Sequence, residues 1–140
     1  MQLFVGTKGV VHHEGKVLVL RESSQYLDGS GVGKWDMPGG RINSEEAVRD
    51  GLVREIKEES GLDVEPGEIL GIFDGYPVIR GEKCHVVRVY FACASKTKEV
   101  MLSQDHDAFD WIEPHSLEGK EFLNDIAEML EVFSRKIRNS

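Results

Sequence analysis

Residues 39–62 read GGRINSEEAVRDGLVREIKEESGL, from Gly39 to Leu62. Glycines open and close the segment, and between them apolar and charged residues recur at helical spacing. Ser44 stands where it can cap a helix running to about Ser60, and Gly61 where a left-handed residue ends one. With Glu55 at zero and about 100° per residue, Glu58 falls near 300° and Glu59 near 40°, so the three acids share one face. Val48, Leu52, Ile56 and Val53 fill the sector from about 20° to about 160°, the expected core face. Like charges one turn apart repel, and the negative end of the helix dipole adds to the repulsion. One account is a solvated charged face, with Arg54 paired to Glu58 and Lys57 nearby. The other is a divalent cation, which reverses the sign of the interaction. Carboxylate oxygens with no His or Cys among them suit Mg²⁺ or Mn²⁺ better than zinc. Gly51, which costs a helix interior about 1 kcal/mol, is then explained if a ligand needs space beside the acids.

The surrounding chain bounds the possibilities. A length of 140 residues suits one domain, 1–140, and the mixture of 40% hydrophobic and 30% charged residues is that of a globular protein. With 17 basic and 25 acidic residues the formal charge is −8, which disfavours nucleic-acid binding through a basic footprint. Polyanions remain accessible if cations stand between. No apolar run approaches the roughly 20 residues of a membrane span, and the start of the chain lacks the pattern of a signal peptide. Cys84 and Cys93 lie in one strand-like run, roughly 30 Å apart when extended, and are expected as buried reduced thiols of a cytoplasmic protein.

Strands are expected from Leu3 to Val11, from Lys16 to Arg21 after a Glu14-Gly15 turn, and at Glu68–Asp74, Cys84–Ala94 and Phe109–Ile112. Trp35 to Gly40 reads as a break. Residues 23–34 read as a surface loop punctuated by Gly29, Gly31 and Gly33. From Glu121 to Ile137, Phe122, Ile126, Met129, Leu130, Phe133 and Ile137 form a helical stripe that serves the core or a dimer equally well. Strands, helix, strands, helix argue a mixed sheet covered by helices.

Gly40, Glu46 and the run Arg54-Glu55-Ile56-Lys57-Glu58-Glu59-Ser60-Gly61-Leu62 resemble, at the right spacing, the Nudix box of the MutT-like hydrolases. The likeness covers 23 of the 140 residues, and Trp35 to Gly39 resembles the usual lead-in. It implies a Nudix fold, an α/β/α sandwich with a mixed β-sheet and a loop–helix–loop. It also implies hydrolysis of a diphosphate joined to another group, usually a nucleoside, with Mg²⁺ or Mn²⁺. By the resemblance Glu55, Glu58 and Glu59 bind the metal and the Gly39 carbonyl is a further ligand. Glu46 supports the box through Arg54, and Gly40 and Gly61 hold the turns at its two ends. Nudix domains are often dimers, so a homodimer is open.

The general base is drawn from Glu55, Glu59 or the segment Ser103 to Trp111, where Asp105 stands in place of the family's common Glu. His106 reads as a solvated loop histidine, with a role as base the weaker alternative. Tyr26, Phe73, Tyr76, Phe91 and Trp111 could stack on a base, although their strand-like settings favour the core. Arg21, Arg41, Arg80 and Arg88 could clamp phosphates. The compact length favours a nucleoside triphosphate as substrate. The proline at Pro77 resembles the ADP-ribose pyrophosphatase subgroup, so ADP-ribose, nucleotide sugars and dinucleoside polyphosphates stay as alternatives. A non-catalytic nucleotide-binding module is the competing class. The charge is concentrated: residues 45–59 carry a net −3 and residues 103–114 a net −4.

Overall fold

The computed structural model describes residues 1–25, 31–123 and 125–138. Tyr26 and Gly29 lie outside the described residues. Eight strands form a mixed sheet: β1 (Gln2–His13), β2 (Lys16–Glu22), β3 (Trp35–Asp36), β4 (Gly39–Arg41), β5 (Val64–Gly75), β6 (Val78–Ile79), β7 (Glu82–Ser95) and β8 (His106–Ile112). The helices are α1 (Val48–Ser60) and α2 (Ile126–Arg138). Strand order along the main path is β3-β2-β1-β7-β5, with β4 on β1, β6 on β7 and β8 on β2. Among the described strand pairs the long β1–β7 pair is the parallel one, running from Gln2↔Cys84 to His12↔Ala94. The Glu14-Gly15 turn forms as expected. Both residues have positive φ, 51° and 81°, the geometry of a tight two-residue hairpin between β1 and β2.

The two faces of the sheet are read from β1. Val11 packs with Leu18, Leu20, Phe91 and Cys93 under Leu52 and Ile56 of α1. Val10 packs with Val19, Tyr90 and Ile112 under Ile126, Met129, Leu130 and Phe133 of α2. One helix thus covers each face, which is the expected α/β/α arrangement. Gly9 lets α1 approach closely, since a Cβ there would lie 2.7 Å from Ile56 Cδ1. Cys84 and Cys93 are buried free thiols, and burial pushes Cys93 up to about 12. No helix among the described residues is long and apolar enough to cross a membrane.

Several local expectations fail for long-range reasons. The first helix begins at Val48, not near Ser44, and its extended N-cap residue, Ala47, makes no side-chain cap bond. Residues 43–46 instead close a turn, in which the Glu46 amide donates to Asn43 O at 3.1 Å and the Asn43 amide to Glu46 Oε1 at 3.0 Å. The second helix begins at Ile126, not Glu121. The Trp35 amide donates to Glu121 O at 2.8 Å and the Leu123 amide to Trp35 O at 2.9 Å, which holds 121–123 extended beside β3. Phe122 therefore reaches the α2-side core from outside the helix, and Ile137 is exposed. The stretch read as a break, Trp35 to Gly40, contains β3 and most of β4.

Candidate active site

The segment before α1 is shaped by two glycines. Gly39 has φ +143°, and a Cβ there would collide with the Thr7 carbonyl oxygen. Its amide donates to Glu59 Oε1 at 2.7 Å. Gly40, opposite Thr7 in the β1–β4 pair, leaves room for Glu55: a Cβ would lie 2.5 Å from Oε2. At the far end Gly61 adopts φ 75° and its amide donates to Lys57 O, closing the helix as expected.

The three acids share a helix face but differ in burial. Glu59, whose angle falls within the core sector, is buried, Glu55 is partly buried and Glu58 is exposed. Burial pushes Glu59 up to about 8, against the opposing pull of Lys8 and the Gly39 amide. Burial also raises Glu55, against its bond to Arg54. Lys8 is itself pinned, donating to Asp36 Oδ2 at 2.9 Å and to Met37 O at 3.2 Å. Its charge beside the buried Glu59 is not legible in the sequence, because the two residues lie far apart along the chain.

Arg54 ties the group together. It grips Glu46 with two bonds, Nε to Oε2 at 2.7 Å and Nη2 to Oε1 at 2.9 Å, in the fork geometry that makes such pairs strong. Its Nη1 donates to Glu55 Oε1 at 3.0 Å and to Glu58 at 3.3 Å. The Arg54 fork, with the Asn43 amide, holds Glu46 down to about 2, and Glu46 in turn raises Arg54. Gly51 has a different purpose from the one expected. A Cβ there would lie 2.7 Å from both Glu46 Oε1 and Ile42 Cγ2, so its space is filled by the support for Arg54 and not by a ligand.

Glu55, Glu58 and Glu59 line a cleft of about 440 Å³ with Gly40, Arg41, Ser103, Gln104 and Asp105. The loop carrying Asp105 is anchored to the end of α1, where the Met101 amide donates to Ser60 O at 2.8 Å and the Ser103 amide to Glu59 O at 3.3 Å. Ser23 holds its other side, its amide donating to Asp105 O at 2.9 Å and its hydroxyl to Gln104 O at 2.5 Å. Two acidic segments distant in sequence thus face one another. Gly39 touches the site through its amide on Glu59, and Gly40 beside it lines the cleft. His106 is not a solvated loop residue: it is 5% exposed, opens β8 opposite Glu22, and has its pKa lowered by burial. Arg21 pairs with Asp107, and Arg88 with Asp125 on the α2 side. Phe91 is core, Phe73 packs on Tyr90, Trp111 packs against the α1-side core, and Tyr76 stacks on His85.

Among the described residues, no three His, Cys, Asp or Glu side chains enclose a cation as they lie. As they lie, Glu55 and Glu58 accept from Arg54 and Glu59 from the Gly39 amide. The donor chemistry nonetheless fits a hard divalent ion, since the acidic side chains facing the cleft offer only carboxylate oxygens.

The NUDIX domain family matches residues 5–133, and the chain belongs to this family. It is 34% identical over 87 residues to Nudix hydrolase 2 of Arabidopsis thaliana, a match covering 62% of this chain and 29% of that protein. It is 27% identical over 117 residues to nucleoside triphosphatase NudI of Escherichia coli O139:H28, covering 77% of this chain and 80% of NudI. The crystal structure of the MutT protein of Methanosarcina mazei Go1 superposes with a TM-score of 0.82 at 27% identity, covering 98% of this chain and 96% of that one. The chain spans less than a third of the length of the Arabidopsis relative.

Proposed function

We propose that residues 1–140 form one catalytic domain that hydrolyses a diphosphate linkage in a nucleoside diphosphate derivative, with Mg²⁺ or Mn²⁺, in the cytoplasm. A nucleoside triphosphate is the preferred substrate. The observation that carries this reading is the single cleft shared by Glu55, Glu58, Glu59 and Asp105. Four carboxylates around one space repel a bare polyphosphate, so the cleft suits a polyphosphate only in company with cations.

Glu55, Glu58 and Glu59 would hold the metal, with the Gly39 carbonyl as the further ligand. When bound, the ion supplies charge neutralisation on the diphosphate and a lowered pKa for the attacking water. Arg54 orients Glu55 and Glu58 and balances their charge while Glu46 fixes the guanidinium. Asp105 enters from a separate loop across the cleft, and it stands with Glu55 and Glu59 as a candidate to take the proton of the attacking water. No covalent intermediate is required, because the only two thiols are buried away from the cleft.

The test is release of phosphate, pyrophosphate or nucleotide from nucleoside triphosphates, ADP-ribose, nucleotide sugars and diadenosine polyphosphates, with Mg²⁺ or Mn²⁺ and with chelator. Metal-dependent turnover that Glu58→Gln lowers by orders of magnitude is expected. Undiminished turnover in the variant overturns the metal assignment. Faster turnover of ADP-ribose or diadenosine polyphosphates moves the substrate to those classes, and tight binding with no turnover identifies a binding module.

A further inference from the structure

A second cavity, about 310 Å³, opens beside the first. Gln2 and Phe4 at the start of β1 form one side, Ile79, Arg80 and Glu82 of the β6–β7 hairpin form another, and Arg41 at the end of β4 closes it. Arg41 is the residue that lines both cavities.

The sheet explains why the two spaces are neighbours on opposite faces. His12 meets Phe133 of α2 and Val10 packs in the same core, so the strand's alternation places Phe4 and Gly6 on the α2 side and Thr7 on the α1 side. Gly40 is paired with Thr7 and Arg41 with Gly6. Accordingly, Gly40 opens toward Glu55, while the Arg41 guanidinium lies over the Phe4 ring, 4.4 Å from its centre. Arg41, common to both linings, marks the edge of β4 as the place where a phosphate chain leaving the acids meets the second space.

We propose that this cavity seats the nucleoside end of the substrate whose diphosphate lies in the acid cleft, an inference that rests on the function proposed above. Its size falls at the lower end of the roughly 300–1,000 Å³ of ligand pockets. Phe4 and Ile79 supply apolar wall. A guanidinium layered on an aromatic ring offers a planar surface on which a heteroaromatic base stacks. Gln2 and Glu82 present donor and acceptor groups to a base edge. Two guanidiniums against one carboxylate make the lining net positive in a chain of charge −8, which draws in the phosphate-bearing side of a nucleotide and sets its direction past Arg41.

The experiment is an amide NMR titration of the whole protein in chelator with adenosine, guanosine, cytidine and uridine, and separately with inorganic pyrophosphate and Mg²⁺. At least one nucleoside is expected to shift the amides of Gln2, Phe4, Arg41 and residues 79–84, and pyrophosphate those of 55–59 and 103–105. Phe4→Ala and the exposed-turn variant Arg80→Gly, whose backbone φ of 52° glycine accepts, should each weaken nucleoside binding about tenfold. The same variants should raise KM for the preferred nucleotide with kcat within about twofold. Nucleosides that shift only the acid cleft, or none that binds, overturn the proposal, as does pyrophosphate filling the second cavity. Absence of turnover on every nucleotide overturns the proposed function instead, and the nucleoside titration still judges the cavity.

Discussion

Gly40 and Glu55 fit as a bare position and the carboxylate that occupies it. A Cβ on Gly40 would lie 2.5 Å from Glu55 Oε2 and 2.7 Å from its Cδ. The neighbouring Gly39 is bare for another reason, since there a Cβ would meet the fixed backbone of Thr7. The two glycines therefore make opposite predictions. Gly40→Ala should displace a flexible acid, leave the melting temperature within a few degrees, and lower metal affinity by about 10–100-fold. Gly39→Ala should fold poorly, losing at least the roughly 1–3 kcal/mol of an unfavourable φ. Calorimetric metal titration and thermal melts of both variants check the contrast, and equal melting temperatures would refute it.

Glu59 carries a pH signature. Its carboxyl is raised from about 4.5 to about 8 by burial. The folded state then binds a proton more tightly than the unfolded state, so this stabilising contribution is complete below about pH 4.5 and lost as pH rises through about 8. His12 and His106, lowered by burial, act oppositely below about 6.5, so the comparison needs Glu59→Gln. In chelator, the wild type should lose melting temperature relative to this variant between pH 5 and 8. Saturating Mg²⁺ should shrink the loss, because a cation gives the charged form a partner. Parallel curves in chelator would show that Glu59 titrates normally.

The Arg54–Glu46 fork should matter more for alignment than for fold. Glu46→Gln keeps the shape and removes the charge, and Arg54→Lys keeps the charge and removes the fork. Both should lower turnover about 10–100-fold while the circular dichroism spectrum stays native. In the wild type the Glu46 contribution is present above about pH 4.5 and disappears as pH falls toward 2. Full activity in Arg54→Lys would show that charge alone suffices.

Gly51→Ala sets helix propensity against packing. The substitution should gain about 1 kcal/mol on propensity alone. The Cβ would, however, stand 2.7 Å from Glu46 Oε1 and from Ile42 Cγ2. We expect a lower melting temperature and a weakened Glu46–Arg54 contact, seen as reduced activity. A higher melting temperature with activity intact would show that residues 42–46 yield easily.

Gly61 ends α1 where its sequence position requires, because a C-terminal glycine acts through its own backbone. The start of the same helix was misread, because Glu46 is held by Arg54 and Asn43 in place of the helix that a Ser44 cap would have begun. The start of α2 was misread because Trp35 binds residues 121 and 123. His106 departs from the loop its sequence suggests because it joins β8 opposite Glu22 of β2 and is buried. Each failure lies where a distant contact overrides a local preference.

The chain's own order of residues was enough to specify the acids, their common helix face, the box to which they belong and the mixed sheet that helices would cover. The shared face and the covered sheet follow from periodicity and backbone preference, which act over a few residues, and the box from its resemblance to the Nudix signature. The graded burial of Glu55, Glu58 and Glu59, the filled space beside Gly51 and Lys8 beside the acids came from folding. So did Arg41 as the wall between two cavities. Burial, electrostatic fields and enclosed volume depend on segments brought together from far along the chain, and no local pattern encodes which segments those are.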